Sequence, residues 1–301
     1  MDNQTPNNLI EFVKKFNNAD ICREHFFNLR WPNGFVCPKC SHDLYYKIEK
    51  RHLYQCKSCK HQTTVTAGTV MDKTRIPLDK WYLAVYLAST DKRGYSAKAL
   101  ERELKIGYKT AWYLLQRIRT AMMQEEFNRI LSGIVEVDDA FFGGADNNGK
   151  RGRGTGKTQV IIGLMLNEQG YPETLKMEVV NDLTSDTVAA FAENNIKSSS
   201  TISTDAYKSY RQFKKDGYIH QPKIFNPKDD REHLKWLHTI VSNAKVFING
   251  TYHGLDKKHL HFYLSEFCYR FNRRFQPNML FEKLLYSCSI SSKITFAELT
   301  A

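Results

Sequence analysis

The sequence predicts an α/β domain built on a mixed sheet, preceded by a small β metal ribbon and a helical segment. Three observations carry this. Two Cys-x2-Cys pairs, Cys37/Cys40 and Cys56/Cys59, stand fifteen residues apart amid short strand-like pieces (FVCPKC, DLYYKI, HLYQCKSC). Between residues 76 and 128, Leu83, Val85, Leu87, Leu100, Leu104, Leu114, Leu115 and Ile118 recur at helical spacing. From Gly133 the texture changes to apolar runs, IVEVDDAFF, QVIIGLML, LKMEVV and TISTD, followed by helical stretches at 184–196 and from about residue 230. The expected divisions are therefore 1–75, 76–130 and 131–301.

Composition narrows the partners. Of 301 residues 42% are hydrophobic and 13% aromatic, enough for a sizeable core and too much for global disorder. Lys+Arg exceed Asp+Glu by 44 to 32, a net charge of +12 that suggests a polyanionic partner. The longest apolar stretch, at 160–166, is interrupted by Gly163 and too short to span a membrane, and the first twenty residues hold no apolar run of signal-peptide type. Seven cysteines, four of them paired as Cys-x2-Cys, favour a metal site in a reducing, cytoplasmic compartment over a disulfide scaffold.

The cysteine quartet comes first along the chain. Two knuckles at this spacing place four thiolates tetrahedrally around one zinc ion. A site of four cysteines is closed, so this zinc is structural. Lys39, His42, Lys47, Lys50, Arg51, His52, Lys57, Lys60 and His61 surround it, a basic setting suited to docking DNA or protein. Cys22, Cys268 and Cys288 lack partner spacing and read as packing residues.

The next element spans residues 96–122, SAKALERELKIGYKTAWYLLQRIRTAM. Ser96 caps a helix carrying Leu100 and Leu104, Gly107 supplies a turn, and a second helix starts near Lys109 or Thr110. That helix offers Lys109, Thr110, Tyr113, Gln116, Arg117 and Arg119, with Trp112, Leu115 and Ile118 facing the core. The pattern fits a helix-turn-helix whose second helix enters a major groove, and equally an ordinary αα-hairpin; the ribbon and the charge favour the first.

Acids end two of the apolar runs: Asp138 and Asp139 after Val135-Glu136-Val137, and Asp205 after Ile202-Ser203-Thr204. Neighbours in a strand point to opposite faces, so Asp138 and Asp139 serve different surroundings. Carboxylates on adjacent strands can share divalent cations for phosphoryl transfer, although aspartates also end strands as turn formers. In the helical run LKWLHTIVSNAKVFI, His238, Ser242 and Lys245 fall along one flank, while Leu237, Val241, Ala244 and Ile248 form the buried stripe. A metal ligand at His238 puts the Lys245 ammonium two turns away, placed to hold substrate phosphate. Asn243 lies on the opposite flank, beside Trp236.

The stretches FVCPKC with QCKSC, VEVDDAFFGG, STDAYKSY and GTYHGLDKKHLHFYLSEFCYRFNRR together resemble insertion-sequence transposases that join an N-terminal zinc ribbon to an ISXO-like DDE-type catalytic domain. The resemblance runs over residues 18–275, and its last stretch, 250–274, is the most specific. It implies a ribonuclease-H-like fold, with Asp138 and Asp205 as the first two catalytic ligands for Mg²⁺. It also implies hydrolysis of a phosphodiester at the element's ends, attack of the freed 3′-hydroxyl on target DNA, and at least a homodimer on double-stranded DNA. The chain departs from the pattern at the third ligand. Where a glutamate is expected seven residues before the lysine stands His238, with Asn243 as the other choice; Glu232 and Glu266 have the wrong offset. A neutral ligand holds Mg²⁺ with one charge fewer, which favours Mn²⁺.

The glycine-rich loop 147–158, NNGKRGRGTGKT, ends like a phosphate-binding loop but has Arg151 where glycine is required and precedes a strand, so it is not an ATP site. Arg151, Arg153 and Lys157 fit contacts to DNA phosphates. His253, Lys257, Lys258, His259, His261, Arg270, Arg273 and Arg274 extend the basic surface, with Tyr269, Phe271 and Phe275 alternating as core residues.

Overall fold

The computed structural model describes residues 6, 8–143, 156–224 and 233–301. Along the chain these form helices α1 (Leu9–Lys15) and α2 (Ala19–Arg30), strands β1 (Tyr45–Ile48), β2 (Leu53–Cys56) and β3 (Gln62–Thr63), and helices α3 (Leu78–Thr90), α4 (Ala97–Leu104) and α5 (Tyr108–Phe127). Strands β4 (Ile134–Phe142), β5 (Thr158–Leu166) and β6 (Pro172–Val180) follow, then α6 (Ser185–Asn195), β7 (Thr201–Asp205), α7 (Gln212–Lys215) and β8 (Ile219–Lys223). Helices α8 (Lys235–Thr251), α9 (Leu260–Phe271), α10 (Leu280–Ile290) and α11 (Phe296–Thr300) complete the chain. Two compact units result: Met1–Glu125 with Phe275–Ala301, and Glu126–Arg274. Among the described residues no helix is long and apolar enough to cross a membrane.

In the first unit β1, β2 and β3 form an antiparallel ribbon with Tyr45 opposite Cys56 and Tyr54 opposite Thr63. So small a sheet has little apolar surface of its own. Phe27 of α2 and Trp31 at its C-cap, with Phe35, Tyr45 and Tyr54, supply it, their ring centroids 4.9 to 6.2 Å apart. A second aromatic cluster joins Phe12, Phe16, Tyr82, Tyr86 and Phe281 of α1, α3 and α10. The C-terminal segment is thus part of this unit, whereas the sequence pattern grouped it with the strands of 131–301. Its end is tied in by the Tyr113 hydroxyl donating to the Ile294 carbonyl (2.9 Å) and the Ser292 N–H donating to Gln124 (2.8 Å).

The α4–α5 pair corrects two expectations. Ser96 does cap α4, accepting from the Ala99 N–H at 3.1 Å. The left-handed residue of the turn, however, is Lys105 (φ 49°), not Gly107. Helix α5 is buried on more faces than a groove-reading helix allows: Gln116, Arg117, Arg119 and Thr120 are all at most 5% exposed. The Arg117 guanidinium donates to the Asp72 carbonyl and lies over the rings of Trp81 and Tyr113, so Arg117 braces the unit and does not face DNA. Apart from Phe127 at its last residue, the exposed positions of α5 are in the first turn, at Tyr108, Lys109 and Thr110.

The second unit holds a five-stranded sheet in the order β6-β5-β4-β7-β8. β4, β5 and β6 are antiparallel neighbours, while β7 and β8 run parallel to β4, the mixed sheet expected. Val135, Val137, Ile161 and Ile202 pack on one face against Val188 and Phe191 of α6 and against Tyr210 and Phe213. Gly163 permits this approach: a Cβ there would lie 2.6 Å from Leu131 and 3.3 Å from Phe191. Alternation turns Glu136, Asp138, Ala140 and Phe142 to the other face, toward α8. The buried stripe of α8, Leu237, Ile240, Val241, Ala244, Phe247 and Ile248, extends the one expected from spacing.

Candidate functional site

The metal ribbon is assembled by local backbone geometry. In the first knuckle the Ser41 N–H donates to the Cys37 carbonyl (2.9 Å), and in the second the Lys60 N–H donates to the Cys56 carbonyl (3.2 Å). Each knuckle closes on a left-handed residue, Ser41 (φ 58°) and Lys60 (φ 59°). The four sulfurs converge: Cys37 to Cys59 and Cys40 to Cys56 are each 3.6 Å, and all four ligand atoms lie within 4.8 Å of one another. Tetrahedral thiolates at about 2.3 Å from zinc stand about 3.8 Å apart, so the quartet fits the ion. None of the seven cysteines is in a disulfide, and Cys22, Cys268 and Cys288 are buried as packing residues.

The acidic site is set by strand register. β4 and β7 pair in parallel as Ile134–Thr201, Val135–Ile202 and Glu136–Ser203. Continuing that register by two residues sets Asp138 opposite Asp205, on the same face of the sheet. The β4–β7 pairing itself ends at Glu136–Ser203, two residues before them. The Asp205 carboxylate is held by the Tyr207 N–H (3.0 Å) and that of Asp138 by the Asp139 N–H (2.8 Å). Asp139 points the other way, where the buried Tyr210 hydroxyl donates to it at 3.2 Å. Burial, then the charges of Asp139, Asp138 and Asp205, push the Tyr210 phenol far up, so it stays a proton donor.

Helix α8 brings His238 to this site, its Nε2 3.2 Å from Asp138 Oδ2. The hydrogen bond to Asp138 raises the imidazole pKa, supported by the charges of Asp138, Glu136 and Asp205 and opposed by burial. Asn243, five residues on, is turned about 140° round the helix from His238 and is exposed. Lys245 is only about 20° off the His238 line, as its spacing required. Its ammonium lies 5.8 Å from the Phe142 ring centroid. Lys245 and Lys157 both line a cavity of about 410 Å³ beside the site.

One carboxyl at the site carried no role in the sequence reading. Glu136 is 8% exposed, two residues before Asp138 on the same strand face. Burial raises its pKa, opposed by the Leu237 N–H and by His238, and its Oε2 is buried without a hydrogen-bond partner among the described residues. The period of two that shares a face between Glu136 and Asp138 was the available signal.

Of the basic residues expected at DNA, Arg273 is misplaced. It is buried, ion-paired with Glu126 and stacked 3.7 Å over the Tyr269 ring, and so holds α9 to the start of the unit. Arg274 donates to the carbonyls of Phe271 (2.8 Å) and Glu173 (3.2 Å) and is half-buried. Glu266 is likewise structural, accepting from Tyr252 and Arg270. Tyr269 is core as expected, but Phe275 is 82% exposed. Arg151, Arg153 and Glu232 lie outside the described residues.

Residues 130–272 match the model of the ISXO2-like transposase domain, and residues 18–62 that of the transposase zinc-ribbon domain. An uncharacterized protein in transposable element ISH50 of Halobacterium salinarum is 27% identical over 206 residues, 62% of this chain and 67% of its own. Among solved structures, the catalytic core domain of BIV integrase aligns at 13% identity over 45% of this chain and 81% of its own, with a TM-score of 0.28. The Mos1 transposase paired-end complex with left transposon end aligns at 10% identity over 70% of this chain and 80% of its own, with a TM-score of 0.22. Scores of that size do not place the fold, which rests on the strand order and on the matched families. Matched in order along the chain, the two models give it a transposase zinc-ribbon domain followed by an ISXO2-like transposase domain.

Proposed function

We propose that the protein is a DNA transposase that binds the terminal repeats of its element, cleaves a phosphodiester there and joins the freed 3′-hydroxyl to target DNA. The observation that carries this is the convergence of Asp138, Asp205 and His238: two carboxylates aligned by β4–β7 register and an imidazole 3.2 Å from one of them. Two carboxylates with open surroundings suit Mg²⁺, which prefers oxygen ligands and keeps several waters; the imidazole makes Mn²⁺ an equal or better fit. Asp138, Asp205 and His238 would hold the metal, which supplies charge neutralisation and an activated oxygen nucleophile.

The chain's own groups do the rest. Lys245, two turns along α8 from His238, holds a substrate phosphate near the acids. The Tyr210 hydroxyl donates to Asp139 and braces the middle of β4, where Asp138 sits. Lys109 and Lys157 add phosphate contacts, each worth a unit step in salt dependence. The zinc ribbon supplies a second DNA-docking surface. Two element ends must be brought together, which calls for at least a homodimer on DNA.

The test is strand transfer with purified protein, labelled duplex carrying the gene's flanking repeats, and Mg²⁺ or Mn²⁺, with Asp205→Ala as control. Joined products that vanish in Asp205→Ala support a transposase. Nicking without joining indicates a stand-alone nuclease or resolvase. Tight binding with no cleavage in either metal indicates a DNA-binding regulator and overturns the proposal.

A further inference from the structure

Helix α8 carries both His238 and Lys245, yet no residue of its own caps its first turn. Helices α1, α2, α4 and α6 begin after an Asn, Ser or Thr whose side chain accepts from an N–H of that turn. α8 begins after Leu234, which makes no side-chain cap and stands in the left-handed region (φ 51°), a conformation that leucine rarely adopts. The first bond that closes the helix runs from the His238 N–H to the Leu234 carbonyl (2.9 Å). The N–H groups before it, that of Leu237 among them, lie outside the helix's own ladder. Leu234 and Leu237 are both buried, so the Leu237 N–H requires a partner within the protein.

Glu136 is that partner. Its carboxylate, on the face of β4 turned toward α8, accepts from the Leu237 N–H, the third of the helix. Two residues further along β4, about 7 Å on, Asp138 meets the His238 imidazole at 3.2 Å. Alternate residues of one strand thus grip consecutive residues of the helix, Leu237 through its backbone and His238 through its side chain. Two such points fix both the rotation of α8 and its position along β4. A slip of one residue would turn the helix by about 100° and carry His238 away from Asp138. The Glu136 Oε2 is meanwhile buried with no hydrogen-bond partner among the described residues. A buried acid satisfied so incompletely is a poor way to stabilise a fold, and local rules of this kind are broken where a site requires it.

We propose that Glu136 is a positioning residue of the acidic site: its carboxylate, supplied by β4, caps α8 and so holds His238 against Asp138. The proposal rests on the reading of Asp138, Asp205 and His238 as metal-holding residues and specifies what aims the third of them. What counts in Glu136 is an oxygen that reaches the Leu237 N–H. A neutral amide of the same length therefore serves, and a shorter acid does not.

The experiment titrates Mn²⁺ into the full-length zinc-loaded protein, reading bound metal by electron paramagnetic resonance, and follows amide exchange at Leu237 without Mn²⁺. Three replacements separate reach from charge. Glu136→Gln keeps the acceptor and loses the charge; it is expected to bind Mn²⁺ within about threefold of the wild type, with the Leu237 amide still protected. Glu136→Asp keeps the charge but draws it back by one methylene, and Glu136→Met keeps the volume without a strong acceptor. Both are expected to weaken Mn²⁺ binding about tenfold and to speed exchange at Leu237. In a His238→Ala background the same two replacements are expected to change Mn²⁺ affinity by less than about twofold, because Glu136 acts through that imidazole. A general loss of stability would weaken binding in both backgrounds alike. Should Glu136→Met fail to fold, Glu136→Asp carries the comparison. Glu136→Gln as weak as Glu136→Asp, a tenfold loss repeated in His238→Ala, or affinities unchanged in all three variants overturns the positioning role and leaves the metal site standing. A wild type that binds no Mn²⁺, or binding undiminished when Asp138 and Asp205 are both replaced by Ala, removes the metal-holding reading and this role with it.

Discussion

At the scale of single residues, the proposed function separates groups assigned to metal or substrate from groups that hold the fold, and charge alone does not tell them apart. His238 reaches Asp138 at 3.2 Å, while Asn243 sits about 140° away round the same helix. His238→Ala is therefore expected to lower metal-dependent cleavage by about 10²-fold or more, and Asn243→Ala by no more than a few fold, in single-turnover assays. A cleavage defect confined to Asn243→Ala would reverse the assignment. The arginines and lysines divide the same way. Arg273→Ala removes one of two guanidinium partners of the buried Glu126, Arg129 remaining at 3.0 Å, and is expected to cost on the order of 2 kcal/mol, read as a fall in melting temperature. Lys157→Ala, at a part-exposed cavity residue, is expected to leave the melting temperature in place and reduce the salt slope of DNA binding by about one.

At the scale of elements, two devices make up for small cores. The ribbon of β1, β2 and β3 is held by the cysteine quartet and a cluster of five aromatic rings. Chelating the zinc, or Cys40→Ser, is expected to unfold the ribbon and abolish its near-ultraviolet circular dichroism from Tyr45 and Tyr54, while the β4–β8 sheet keeps its far-ultraviolet signal. Retention of the ribbon's amide protection after chelation would show that the aromatic cluster suffices. The second device is the packing of α2 against α3, where the His25 Nδ1 meets the Tyr82 hydroxyl at 3.0 Å. Burial, helped by the Lys15 charge, pushes the His25 pKa down to about 4. A depressed histidine is neutral in the fold but takes up a proton on unfolding. Its contribution is whole above about pH 6.5 and is lost as pH falls toward 4. A loss on the order of 2 kcal/mol is therefore expected between pH 7 and pH 4.5. His25→Phe should flatten that part of the stability curve; an unchanged curve would contradict it.

At the scale of the whole molecule, the +12 charge and two compact units suit a protein that must grip DNA and act on it. Light scattering on the protein with duplex ends is expected to give complexes holding at least two chains, since the proposed reaction joins two ends. A complex of one chain per end through to joined product would refute that. Much of this was legible in the sequence. The doubled Cys-x2-Cys spacing fixes the metal, because two knuckles each need only local backbone turns to present their thiolates. The alternation of β4 separates Asp138 from Asp139, and the helical period aligns His238 with Lys245, because both periods are properties of the backbone itself. What only the tertiary structure decided are matters of neighbours far along the chain. Those are the β4–β7 register that sets Asp138 against Asp205, the burial of Arg117 and Arg273, the return of α10 and α11 to the first unit, and the cavity between β4 and α8. A basic side chain reads the same in sequence whether it meets a phosphate or a buried carboxylate. Only the fold supplies the partner, and burial then decides which electrostatic term prevails.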